Sequence, residues 1–281
     1  MKKKIEHGKI DVEINNQKTF FINDVKQNKT SDIIGKINVI IFTPDDIEII
    51  KGGPQRRRKF IDMLISSLRP NYIGILNEYN KIIEQRNTYL RQIYLENKEK
   101  SILDVWDEQL ATCSAKIYEY RKEYTNKIYE KIGKIHNTII KENEEIRIKY
   151  ISNGSSKEIF LENLKKTREL DIKRGFTGTG IHRDDIIIYI NGKHVSIFGS
   201  QGQQRTTVLT LKLCELNIVK EEINDEPILL LDDFMSELDK NRRENFLKNI
   251  KENQVIITCT DKIKIGNNSK TYFVENGIIK D

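Results

Sequence analysis

The chain has 281 residues, 37% hydrophobic and 32% charged, which is enough for one or two domains with buried cores but polar enough to require a large solvated helical surface. Basic residues number 48 against 42 acidic ones, and the net charge of +6 permits nucleic-acid binding without demanding it. Cys113, Cys214 and Cys259 are far apart with no C-x-x-C pair, which argues against a disulfide framework or zinc site, and no run approaches the ~18 apolar residues of a membrane span, so a cytoplasmic protein is expected.

Ile10, Val12 and Ile14 alternate with charged residues, Asn15-Asn16 can turn the chain, and Thr19 to Ile22 resumes an extended pattern, so the opening reads as a β-hairpin. Asn23 to Ile34 is polar and is expected to end as a helix. Val39 to Phe42 is a short buried strand stopped at Thr43-Pro44, and Asp45-Asp46 is expected to cap a short helix that Lys51-Gly52-Gly53-Pro54 breaks. A hairpin and one strand make no stable domain, so this region reads as the remainder of a sheet that begins elsewhere. The run Arg56-Arg57-Arg58-Lys59 is either a solvated helix start or a contact for phosphate of DNA or of a nucleotide.

From Phe60 to about Ile140 helical periodicity dominates. Tyr72, Ile75, Tyr79, Ile82, Arg86, Leu90 and Ile93, then Trp106, Leu110, Cys113, Ile117, Tyr120, Tyr124, Ile128, Ile132, Ile135 and Ile139, recur at threes and fours on either side of a polar turn at Asn97 to Ser101. Two long helices pairing antiparallel are expected. Their seam spacing fits a projecting arm better than a compact globule, and tyrosines at that spacing read as core. Ile146, Ile148 and Tyr150 mark a strand, and Lys157 to Lys173 a helix. Gly175 to Gly180 is glycine-rich but lacks the Lys of a phosphate-cradling loop. His182-Arg183-Asp184-Asp185 reads as a hydrogen-bonded loop staple sooner than as a catalytic cluster, and Asp185 to Phe198 as a hairpin turning at Asn191-Gly192.

Two later stretches carry the chemistry. Ser200-Gln201-Gly202-Gln203 leads into the helical pattern Thr206 to Glu222, whose Val208, Leu209, Leu213, Leu216 and Val219 form one apolar face, so free backbone N–H groups stand at a helix start where anions bind. Ile228 to Leu231 is an apolar strand ending in Asp232-Asp233, which brings hard-cation ligands to a sheet edge. Ser236-Glu237-Leu238-Asp239, a charged helix and the strand Val255 to Ile257 ending at Thr258 follow. No Gly-x-x-x-x-Gly-Lys-Ser/Thr loop occurs in the 281 residues.

This order resembles the C-terminal half of the ABC-type ATPase head. Phe42 to Asp46, Lys51 to Arg58, His182 to Asp185, Gly199 to Arg205 and Leu229 to Asp239 together resemble the RecF family of that superfamily across nearly the whole chain. The resemblance implies an α/β head, incomplete at its N-terminal phosphate-loop part, with an inserted α-helical lobe of long antiparallel helices. The expected division is 1–50 as the remnant of the N-terminal head sheet, 51–174 as the helical second lobe, and 175–281 as the C-terminal half of the head. It also implies ATP and Mg²⁺ as ligands, an ATP-dependent homodimer, single-stranded and gapped duplex DNA as targets, RecO and RecR as partners, and no membrane.

By the same resemblance Ser200, Gly202 and Gln203 are the signature loop that touches the γ-phosphate of ATP held by the partner subunit. Asp232 positions Mg²⁺ through water, and Asp233 orients or activates the attacking water. Ser236, Leu238 and Asp239 link the two sites across the dimer, Thr258 or Thr260 stands at the switch position, and Arg56, Arg57 and Arg58 are candidate phosphate or DNA contacts. Ile181 departs from the Pro usual before His182. The missing phosphate loop leads to the expectation that this chain alone neither binds ATP tightly nor turns it over. A nucleotide-independent DNA-binding scaffold is the alternative, and the long helical insert argues against a transporter ATPase.

Overall fold

The computed structural model describes residues 3–5, 8–14, 18–27, 37–140, 144–260, 269–275 and 277–280. The opening forms an antiparallel meander of β1 (Lys3–Ile5), β2 (Gly8–Ile14), β3 (Lys18–Ile22) and β4 (Val25–Gln27), in that order. The expected hairpin is the β2–β3 pair, with Val12 opposite Phe20. The helix expected toward Ile34 lies outside the described residues.

A parallel sheet of order β10-β9-β5 forms from β5 (Val39–Phe42), β9 (Ile228–Asp232) and β10 (Val255–Thr258). Phe42 aligns with Leu231, and Asp232 with Thr258, so the carboxyl ends of all three strands share one edge. Phe42 is buried and its ring meets Phe234 and Phe246 at 5.3 and 5.2 Å, which ties β5 to the elements that follow β9. Beyond Phe42 the expected acidic helix start forms as the 3₁₀ turn Pro44–Ile47, with Asp45 and Asp46 in its first turn and Asp46 closing a capping box by accepting the Thr43 N–H at 2.8 Å, and it leads into α1 (Glu48–Lys51).

Three helices follow: α2 (Pro54–Leu68), α3 (Pro70–Glu96) and α4 (Leu103–Ile139). Asn97, in the left-handed conformation at φ 57°, ends α3 and lets α4 return against it. The expected seam is buried except at Ile75, Trp106 and Tyr120, which are half-buried, and the projecting arm is not what forms. The first half of α4 packs on α3 and α5 (Lys157–Arg174), where Arg168 reaches Asp104 and Asp107 at 2.6 Å. Its second half packs on α7 (Gln201–Ile223) and α8 (Lys240–Asn249), where His136 meets Thr210 and the Asn245 amide donates to Ile139 O. Buried Asp107, Ser114, Arg121, Thr125 and His136 widen the covered arc of α4 beyond its apolar stripe, and polar residues of this kind carry no periodic signal.

A second antiparallel sheet, order β6-β7-β8, contains β6 (Ile146–Ile151), β7 (Asp185–Ile190) and β8 (Lys193–His194). Asn191 and Gly192, at φ 50° and 74°, make the expected two-residue turn. The return strand is shorter than expected, because Val195–Phe198 winds into the single turn α6. The expectation of one apolar face on α7 is also corrected. Every residue from Thr206 to Cys214 is buried, so α7 is a core helix covered on all sides. A C-terminal hairpin, β11 (Phe273–Glu275) and β12 (Ile278–Lys280), completes the described chain.

Candidate nucleotide site at the sheet edge and the start of α7

Ser200 caps α7 in a reciprocal box: its Oγ accepts the Gln203 N–H at 3.2 Å, and Gln203 Oε1 accepts the Ser200 N–H at 2.9 Å. The arrangement fixes an exposed Ser200 at the positive end of a long helix. Thr206 and Thr207 donate to Gly202 O and Gln203 O at 2.8 and 2.7 Å, which holds the first turns. The other end of the Gln203 amide donates to Glu144 at 2.8 Å, and the second Glu144 oxygen lies 3.1 Å from His136 Nε2. Burial pushes the His136 pKa down, with Glu144 opposing.

Gly202 is overlain by the Arg242 guanidinium, whose nitrogens would stand 3.5 and 3.6 Å from any added Cβ. Arg242 pairs with Asp239 at 2.9 Å, and Asp239 caps α8 by accepting the Arg242 N–H at 3.0 Å. The start of α7 is therefore tied to the Ser236–Asp239 turn within one chain. Leu238, in that turn, is buried. Arg242, Glu144 and His136 were not legible as site residues. Glu144 and Arg242 stand in charged runs that read as solvated surface, and a lone His on a helix seam reads as core.

At the sheet edge Asp232 is exposed and its Oδ1 accepts the Thr258 hydroxyl at 2.7 Å. The Asp233 N–H lies 3.1 Å from both Thr258 O and Thr258 Oγ, with Asp233 itself at φ 45°, a left-handed conformation of the kind stored at functional turns. Thr258, not Thr260, is thus the residue in register with the carboxylate pair. Among the described residues no group of three or more His, Cys, Asp or Glu could hold a metal ion. One exposed carboxylate and one hydroxyl fit Mg²⁺, which keeps most of its waters and takes one or two carboxylates plus phosphate oxygens.

The basic run divides. Arg57 is buried, with a fork on Asp185 at 2.7 and 3.0 Å and a third bond to Gly52 O at 2.7 Å. Arg58 donates to Asp184 O at 2.6 Å, and Arg56 alone of the three arginines is exposed. Arg57 and Arg58 are thus committed to the 182–185 turn, which leaves Arg56 facing solvent. His182 is bonded on both ring nitrogens within the protein, to Tyr79 and Thr177, which makes the turn a staple.

A short parallel sheet with a carboxylate pair at its carboxyl edge, a capped core helix and an inserted helical lobe define the head of an ABC-type ATPase. No family model matches the chain. The DNA replication and repair protein RecF of Acetivibrio thermocellus is 42% identical over 270 residues, covering 93% of this chain and 72% of that protein. The Clostridium botulinum type A RecF is 43% identical over 284 residues, covering 96% and 77%. Among solved structures, the recombination mediator protein RecF-ATP of the RecFOR pathway has a TM-score of 0.88 at 38% identity, covering 97% of this chain and 75% of that one. RecF-ATPrS of the same pathway has a TM-score of 0.87 at 36% identity, covering 97% and 76%. The chain belongs to the RecF family of DNA replication and repair proteins.

Proposed function

We propose that the protein is an ATP-switched DNA-binding protein of replication and recombinational repair, acting on single-stranded and gapped duplex DNA with RecO and RecR, as a homodimer closed by ATP. The observation that carries this reading is the combination, in a member of the RecF family, of the Asp232–Thr258 pair at the sheet edge with the capped, exposed Ser200 at the start of α7. Residues 1–50 and 175–281 are assigned to the head and 51–174 to the second lobe.

Ser200 and Gly202 present a hydroxyl and a backbone N–H to the γ-phosphate of a nucleotide held by the partner subunit, and Gln203 closes the cap that holds the loop. Asp232 would hold Mg²⁺ through water, and that ion supplies charge neutralisation at the phosphates. Asp233 orients the attacking water and accepts its proton. Thr258 holds Asp232 in place from the neighbouring strand, at the position where a switch residue reports γ-phosphate. Ser236, Leu238 and Asp239 couple the two sites, with Arg242 linking Asp239 to the signature loop. Arg56 is the candidate phosphate contact.

The 281 residues contain no phosphate-cradling loop, so mixing the chain with a subunit that carries one isolates the role of the signature loop, which is expected to meet the nucleotide that the other subunit grips. The test mixes this chain with a RecF subunit that carries the phosphate-cradling loop and measures association and bound nucleotide with a slowly hydrolysed ATP analogue. One nucleotide per mixed dimer is expected, with Ser200→Arg weakening association about tenfold or more by placing a bulky side chain at the interface. Two nucleotides per mixed dimer, or DNA binding that is the same with and without ATP, would overturn the reading.

A further inference from the structure

An open cavity of about 590 Å³ lies between α4 and β6, separate from both ends of the site above. One wall is the α4 face formed by Tyr118, Lys122, Thr125, Asn126 and Tyr129, at helical spacings of three and four. The other wall is Lys149 and Tyr150 with the polar loop 152–155. The described lining contains two lysines and no Asp or Glu, so its electrostatics favour an anion. Its volume lies within the range that holds a small ligand.

Thr125 supplies an independent observation. It is only 3% exposed, lines the cavity, and its hydroxyl has no hydrogen-bond partner among the described residues. A buried hydroxyl in mid-helix ordinarily donates back to the preceding turn. Buried Thr206, Thr207 and Thr210 all do so, at 2.7 to 2.8 Å. Thr125 forgoes that bond, leaving an unanswered polar group within the cavity wall that a ligand can satisfy once the side chain rotates toward it.

We propose that this cavity binds a nucleoside phosphate, either as a free nucleotide or as one unit of a single strand of nucleic acid. Lys122 and Lys149 take the phosphate, the exposed Tyr129 ring offers a stacking face for the base, and Thr125 and Asn126 supply hydrogen bonds. An apolar ligand would leave the Thr125 hydroxyl and both lysines unanswered. The proposal does not rest on the Ser200 or Asp232 roles.

The test is fluorescence anisotropy on the whole chain with two probes, a methylanthraniloyl-labelled adenosine nucleotide and a labelled short oligothymidylate, with circular dichroism as a fold control. At least one probe should bind, and the double variant Lys122→Glu/Lys149→Glu should weaken it about tenfold or more. Thr125→Val, which removes only the hydroxyl's hydrogen-bonding capacity, should weaken it about fivefold. Asp232→Ala should leave this binding intact even if nucleotide binding at the head fails, which separates the two sites. Binding of the oligothymidylate alone assigns a strand, and of the mononucleotide alone a free nucleotide; either supports the site. Failure of both probes overturns it, as does a loss seen with the lysine variant but absent in Thr125→Val, which would mean diffuse surface attraction.

Discussion

His182 illustrates how hydrogen-bond partners fix a charge state. Its Nε2 lies 3.0 Å from Thr177 O, and a carbonyl only accepts, so Nε2 carries the proton. Its Nδ1, 2.6 Å from the Tyr79 hydroxyl, then accepts from that phenol. Burial, aided by the Arg183, Arg58 and Arg86 cations, pushes its pKa down from 6.5 to about 4. As pH falls the unfolded chain takes up this proton first. The contribution is complete above pH 6.5 and is lost progressively toward pH 4, by about 3 kcal/mol at roughly 1.4 kcal/mol per unit. Asp184 acts in the opposite sense, because burial raises its pKa and the folded carboxyl protonates first. Comparing wild type with His182→Gln removes that background. In urea denaturation from pH 7 to 4.5 the wild-type advantage should shrink as pH falls, and an advantage constant across that window would contradict this account.

At the scale of the element, α7 is the clearest case of burial deciding behaviour. Leu213 lies at its centre with no exposed surface, so Leu213→Ala should cost about 2–5 kcal/mol through lost transfer energy and a cavity. Lys220, near its end and half-buried, with its ammonium paired at the surface to Glu226 and Glu252, should change stability by less than about 1 kcal/mol when replaced by Ala. Denaturant midpoints at constant m-value give both numbers, and comparable values would show that the helix does not sit at the core. The Asn191-Gly192 turn and the carboxyl-terminal placement of Asp232 were legible because each depends on a few adjacent residues, whereas the start of α7 at Gln201 lies ahead of the apolar pattern that begins at Thr206. The all-round burial of α7 was not legible, since its threonines look like a polar face but bond back to their own helix. Nor was the engagement of Arg57 with Asp185, which joins residues 128 apart in the chain. Arg86 could be placed on the seam by its spacing, but its partners Asp107 and Asp171, at 2.7 and 2.9 Å, come from two other helices.

At the scale of the whole molecule, α4 decides whether lobe and head can act separately. Its 37 residues span roughly 55 Å at 1.5 Å per residue, with one half against α3 and α5 and the other against α7 and α8. Midway, Arg121 is 2% exposed and bonds Asp62 of α2 through Nε and Nη2 at 2.8 Å, and Ile181 O at 2.7 Å. Asp184, 3.4 Å from Arg121, also accepts the Tyr150 hydroxyl, so β6 joins the same network. Nearby, Glu222 on α7 takes both Arg69 and Lys127, closing a second link between helical lobe and head. One contiguous hydrophobic core includes Tyr79, Ile117, Ile128, Leu213 and Phe42, residues from both parts. A junction of this kind should make the two parts open together. Arg121→Ala leaves Asp62 and Asp184 without their shared cation, a loss of about 3–5 kcal/mol. Native-state hydrogen exchange should then show equal loss of protection in α3 and in α7, although neither helix contains the substitution. If protection falls in α3 while α7 keeps its wild-type value, the lobe opens on its own and α4 does not couple it to the head.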